Sequence, residues 1–169
     1  MLGSGQPSIN KHKLQELEEL KDWLLTRIMP NAYIHLENSL ENFRRVLMDF
    51  INTFHLHAAD LGDELETEKF YKIDRRDPKL DSKLHKEFLF HVDLVMDLIV
   101  ELTHTANYGC NQVRKYLLPD FRIKEGLLVV TYGPYMDDLS YRTHKVRYIG
   151  EQRNRRVPYI RNRLLRHLR

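Results

Sequence analysis

Apolar positions in this chain recur mostly at helical spacing. Leu17, Leu20, Leu24 and Ile28 form one stripe behind a Ser8 or Asn10 cap, with Glu16, Glu18 and Glu19 placed early, where the helix dipole favours anions. This predicts a first helix to about residue 29, ended by Pro30. The clearest periodicity follows over residues 32–59, where Leu36, Leu40, Phe43, Leu47, Phe50 and Phe54 alternate steps of four and three and so line a single seam. A seam of that kind needs a partner helix, and the short connection makes an antiparallel hairpin with the first helix the natural arrangement.

Charge dominates residues 60–82 and Pro78 interrupts them, so this stretch reads as an excursion, with Phe70, Tyr71 and Ile73 available to pack back onto the bundle. A third helix is predicted over residues 84–118 and closed by Pro119. Its apolar positions, including Phe88, Val92, Val95, Met96, Ile99, Leu102, Ala106 and Val113, cover more than one stripe, which predicts a central place in the bundle. The period then changes. Residues 126–132 are a β-branched apolar run, residues 133–138 (Gly-Pro-Tyr-Met-Asp-Asp) are a turn signal, and residues 139–149 return as a strand polar on both faces, hence exposed. Residues 150–157 read as a basic linker, and residues 159–169 as a short helix with Ile160, Leu164, Leu165 and Leu168 on its apolar side.

The expected fold is thus mainly α: a bundle of three principal helices with a β-hairpin near the C-terminus (residues 1–149), followed by a basic Arg-rich tail helix (residues 150–169). A hydrophobic fraction of 42% and only seven Gly and six Pro in 169 residues fit one folded domain rather than a fibrous or disordered chain. No apolar run approaches the roughly 20 residues needed to span a bilayer, so no membrane association is expected. The first eight residues lack the basic start and apolar core of a secretory signal, and the single Cys110 rules out an internal disulfide; both point to a cytoplasmic setting. Cys110 itself reads as a small buried residue.

Charge changes the picture most. Residues 142–169 carry ten basic side chains, Arg142, Lys145, Arg147, Arg153, Arg155, Arg156, Arg161, Arg163, Arg166 and Arg169, against one acid, Glu151. With 27 basic and 24 acidic residues in the whole chain, the rest holds 17 and 23, so a net −6 body carries a net +9 tail. Nine of the ten are Arg, whose planar fork grips phosphates and carboxylates bidentately. Five of the nine tyrosines, Tyr132, Tyr135, Tyr141, Tyr148 and Tyr159, lie in or beside this segment. Arg for phosphates and flat rings such as Tyr141 and Tyr148 for unstacked bases suit single-stranded nucleic acid, RNA above all. The same arginines also suit an acidic protein surface, whether a partner in a larger complex or a second copy of the chain. Both partner classes stay open. The favoured function is a non-enzymatic binding or assembly module that holds RNA or single-stranded nucleic acid.

Catalysis is a further possibility within the tail. Arg161, Asn162 and, six positions after the Arg, His167 together resemble the active-site motif of HEPN-superfamily ribonucleases, all-helical enzymes that often act as toxins or antiviral effectors. The resemblance covers seven residues and implies that Arg161 contacts phosphate while His167 takes part in metal-independent cleavage through the RNA 2′-hydroxyl. Here only two residues follow His167, whereas the family places its motif near the start of a long helix. Small helical subunits of bacterial RNA-guided defence complexes are similar in size and charge. In the body, Asp93, Asp97, Glu101 and His104 share one helical face, and Glu101–His104 has the Glu-x-x-His form of di-metal bundles. Such sites need a second pair, which this sequence lacks, so Asp97, Glu101 and His104 read first as a polar face and only second as metal ligands. No phosphate-cradling glycine loop is present, and no cofactor is expected.

Overall fold

A computed structural model describes residues 6–28, 32–71, 77–135 and 137–147. Three helices and five short strands are found among them: β1 (Ser8–Asn10), α1 (Lys11–Thr26), α2 (Ile34–His55), β2 (Ala58–Leu61), β3 (Glu64–Thr67), α3 (Pro78–Tyr116), β4 (Val129–Tyr132) and β5 (Arg142–Lys145). The mainly helical expectation and the late hairpin therefore hold. The expected helix over residues 159–169 and the linker before it lie outside the described residues, as do Pro30 and the end set for the first helix.

Local chemistry places the helix starts. The Asn10 carboxamide accepts from the His12 N–H at 3.0 Å and caps α1. At α3 the Asp77 carboxylate accepts from the N–H groups of Lys79 and Leu80, and Pro78 follows it directly, where its fixed φ suits the first turn. α3 thus begins six residues before the predicted start. α2 keeps its expected seam: Leu36, Leu47, Phe50 and Phe54 are buried, with Leu40 and Phe43 half-buried. α1 departs from its predicted stripe. Leu14 and Leu24 are buried and Leu17 half-buried, whereas Leu20 is largely exposed and Ile28, past the Arg27 C-cap, is 96% exposed.

The core draws on Leu14 from α1, on Leu47, Phe50, Ile51 and Phe54 from α2, and on Leu94, Val95 and Leu98 from α3. α2 is the helix common to both main helix interfaces, so it, rather than α3, holds the middle place. Its direction follows from its ends: the Tyr33 ring lies 5.6 Å from Tyr116 at the end of α3, and His57 lies 4.7 Å from His91, two-thirds of α3 away. α2 and α3 therefore run antiparallel. Likewise Lys11 at the start of α1 pairs with Asp60, just past the end of α2, and Glu18 meets His55 at 2.8 Å, as an α1–α2 hairpin requires.

The excursion expected over residues 60–82 holds the end of β2, all of β3 and the first turns of α3; β3 is the central strand of a three-stranded antiparallel sheet of order β1-β3-β2, and Ile73 lies outside the described residues. Gly62 turns the β2–β3 hairpin in a left-handed conformation (φ +80°), with its N–H bonded to the Asp60 carboxylate at 3.0 Å. Ile9, Ala58 and Leu65 lay this sheet against the core. Phe70 and Tyr71 do fold back, their rings 5.8 and 5.0 Å from Phe88. The second sheet pairs β4 with β5, and every β5 position is exposed, as its polarity predicts.

Candidate functional site

The chain after α3 returns over one face of its C-terminal half, where Asn111 and Lys115 stay exposed and His104 and Tyr108 half-buried. His104, Tyr108, Asn111 and Lys115 recur at steps of four, three and four, so they share one face of α3. The turn after α3 and the residues following β5 close over this face and enclose a groove of about 700 Å³. Four cations line it, Arg114, Lys115, Arg122 and Arg147, together with His35 and His104. Asn107, Tyr108, Asn111 and Gln112 supply neutral polar groups. None of the lining residues is acidic, which is notable because the body of the chain is net acidic.

The hairpin is pinned to the groove by Asn107, which is 3% exposed. Its Nδ2 donates to the carbonyls of Leu128 (2.9 Å) and Val146 (3.0 Å), and its Oδ1 accepts from the Leu128 N–H at 3.0 Å. Arg147, directly after Val146, is thereby held at the groove wall. At the other end Arg114 donates through Nη1 to the Phe121 carbonyl at 2.9 Å and through Nη2 to the Asn111 Oδ1. That clamp fixes the turn in which Arg122 adopts φ +52°, an uncommon left-handed conformation for a residue with a Cβ. Lys115 Nζ lies 4.9 Å from the centre of the Tyr116 ring. Arg114 and Lys115 also counter the negative end of the α3 dipole, so part of their value is to the helix itself. None of the four cations forms an ion pair with a carboxylate among the described residues.

Among the predicted binding residues, Arg147 belongs to this groove, and Tyr141 and Lys145 are exposed on the hairpin. Arg142 is engaged within the hairpin tip: its guanidinium lies 4.2 Å from the Tyr135 ring centre and within 3.5 and 3.8 Å of Asp138 and Asp137. Tyr148, Arg153, Arg155, Arg156, Arg161, Arg163, Arg166, His167 and Arg169 lie outside the described residues. His104 and Glu101 meet through Nδ1 and Oε2 at 3.4 Å, and among the described residues no three His, Cys, Asp or Glu side chains gather as a metal would need. Cys110, expected to be buried, is half-exposed.

His35, Asn111, Arg114, Lys115 and Arg122 were not singled out by their sequence. The Arg114-Lys115 pair near the end of a helix reads as dipole compensation, and only the return of the chain over α3 brings Arg122 and Arg147 beside it.

Away from the groove, His57 stacks on Phe70 at 3.9 Å and meets His91 edge-on. His91 is buried, and its pKa is pushed down to about 4, chiefly by burial and secondarily by the charge of His57. Large apolar side chains stand exposed at the end of the bundle that also carries the groove: Trp23, Leu25 and Ile28 near the end of α1, Tyr33 and Ile34 at the start of α2, and Leu117 and Leu118 after α3. No helix among the described residues is long and apolar enough to cross a membrane. Comparison with family models, with curated proteins and with solved structures finds no match to this chain.

Proposed function

We propose that this protein is a non-enzymatic binding and assembly module that holds RNA, or single-stranded nucleic acid, through the basic α3 groove and the arginines of segment 142–169. The observation that carries this reading is the groove itself: four cations with no carboxylate partner among the described residues and no acidic residue in the lining, on a body that is otherwise net acidic. Unneutralised cations at a concave surface attract a polyanion and gain from the release of its counterions. Arg147 connects the groove to the segment that follows, where seven further arginines occur between residues 153 and 169. The exposed apolar side chains Trp23, Leu25, Ile28, Tyr33, Ile34, Leu117 and Leu118 support the assembly part of the reading, because exposed apolar patches commonly mark a protein contact.

Binding of a labelled single-stranded RNA as a function of salt tests this function. Affinity should fall steeply, with a slope in log K against log[salt] that shrinks by about two to three when Arg153, Arg155 and Arg156 are all changed to Gln. Affinity independent of salt and of these changes would remove the nucleic-acid reading. A discrete protein complex that survives nuclease treatment, with no RNA bound, would favour the acidic protein partner instead. The ribonuclease alternative rests on Arg161 and His167. RNA cleaved in chelator by the wild-type protein but not by His167→Ala would turn the module into an enzyme.

A further inference from the structure

The groove and the Arg-rich segment differ in kind, and the difference suggests separate tasks. From His104 to Lys115 the open face of α3 spans eleven residues, or about 16 Å at 1.5 Å per residue. That length suits a few unstacked nucleotides rather than a long track. One of its cations is placed by other contacts, Arg114 by the Phe121 carbonyl and the Asn111 Oδ1, while the Asn107 bond to the Val146 carbonyl holds the backbone just before Arg147. A fixed cation loses little freedom when it binds. Between the cations lie groups able both to donate and to accept: the Asn111 carboxamide, whose Oδ1 already accepts from Arg114, the largely buried Gln112 carboxamide and the His35 imidazole. Carboxylates call only for donors, whereas exposed base edges present donors and acceptors side by side, so this mixture fits unpaired bases better than an acidic peptide.

We infer that the groove is a discrete subsite for two or three unpaired ribonucleotides, taking phosphates on Arg114, Lys115 and Arg122 and base edges on Asn111 and Gln112. The segment after residue 147 adds sequence-independent affinity for the flanking strand. This inference rests on the nucleic-acid reading above and narrows it: the short segment in the groove is single-stranded, and its binding does not depend on the distal arginines.

The test uses the full chain and a fluorescently labelled, 5′-phosphorylated uridine trinucleotide, with binding followed by anisotropy. Lys115→Gln with Arg122→Gln, both at exposed positions, should weaken trinucleotide binding about tenfold, as expected for loss of two charge-assisted contacts. Changing Arg153, Arg155 and Arg156 to Gln should alter it less than threefold while markedly weakening a 20-nucleotide RNA. Asn111→Ser should change the ranking among uridine, adenosine and cytidine trinucleotides. The inference is overturned if the 20-mer binds but the trinucleotide does not, if the distal changes weaken the trinucleotide as much as the groove changes do, or if a short RNA duplex competes as well as the single strand. Equal competition by an acidic peptide of the same charge would reassign the groove to a protein partner. If no RNA of any length binds, the broader reading fails together with the inference.

Discussion

The side chain of Asn107 bonds to the backbone of Leu128 in both directions, Nδ2 to the carbonyl at 2.9 Å and the N–H to Oδ1 at 3.0 Å. A helix side chain thus takes the place of a neighbouring strand. Its second Nδ2 bond, to Val146, which stands across the open end of the hairpin from Leu128, ties both strands to α3 through one carboxamide. The Asn107 side chain and the Val146 carbonyl it satisfies are buried, so that carbonyl has no water to turn to, whereas Leu128 is 39% exposed and its two groups can turn in part to solvent.

Asn107→Ala should therefore cost about 3 kcal/mol, since it removes three hydrogen bonds and leaves one N–H and two carbonyls without that partner. The damage should be local first. Hydrogen exchange at the Leu128 amide should speed up well before the α2–α3 core loosens, and ligand binding at the groove should weaken because Arg147 loses its anchor. Asn107→Asp should do at least as much harm, placing a carboxylate against two carbonyl oxygens. Unchanged exchange at Leu128 in Asn107→Ala would show that the hairpin is held by its own pairing.

Thr67 offers the opposite case, a polar group whose removal should help. It is fully buried on the central strand β3, and its backbone is satisfied by Pro7 and by the Gln6 carboxamide, but its Oγ1 has no hydrogen-bond partner among the described residues. Thr67→Val keeps the branched shape and removes the cost of that hydroxyl, so stability should rise by about 1 kcal/mol, and Tm by about 2–4 °C in a chain of this size. A lower Tm in differential scanning calorimetry would mean that the hydroxyl does find a partner.

His91 should make the fold acid-sensitive. With its folded-state pKa lowered to about 4 by burial and by the charge of His57, and an unfolded value near 6.5, the unfolded chain binds the extra proton between those values. Stability is then fully present above about pH 6.5 and is lost as pH falls towards 4, by at most about 3 kcal/mol. His57 and Phe70 face the ring, and its Nε2 has no hydrogen-bond partner among the described residues to stabilise a charged form. Urea unfolding across this range should show the slope in the wild-type protein and a flatter limb in His91→Phe. An equally steep limb in the variant would place the titration on other groups.

What could be read from the sequence followed the strength of each periodic signal. The α2 seam repeats six times and places its residues correctly, because a long amphipathic pattern averages over local exceptions. In α1 the stripe kept only Leu17 and Leu24 of its four expected residues, Leu20 and Ile28 being exposed and Leu14 taking a buried place instead. Leu14, Leu17 and Leu24 face inward and Leu20 does not, since two adjacent stripes of leucines compete in a short helix. The β1-β3-β2 sheet escaped notice because its strands are three or four residues long and carry Asp60, Glu64 and Glu66, leaving only Ile9, Ala58 and Leu65 to signal a buried face. The start of α3 was legible, however: Asp77-Pro78 is a cap followed by a first-turn proline. The groove was not, because Arg122 and Arg147 lie apart from Arg114 in the chain and meet only once Asn107 has fastened the hairpin.

The core predicts how the body should behave without the distal arginines. Every member of the buried cluster lies between Leu14 and Leu98, and the hairpin that flanks the groove ends at Lys145. Deleting residues 151–169 should therefore leave helical circular dichroism and a cooperative melt. Within the same truncated protein, Leu47→Ala should cost about 2–5 kcal/mol, since Leu47 is completely buried between the helices, whereas Leu20→Ala, at a largely exposed position, should cost under about 1 kcal/mol. If the truncation instead abolishes the cooperative melt or makes the protein insoluble, Ile160, Leu164, Leu165 and Leu168 become candidates to cover the apolar end formed by Trp23, Leu25, Ile28 and Ile34. The distal segment would then be a structural element of the bundle, and its arginines would owe their position to that packing rather than to a bound polyanion.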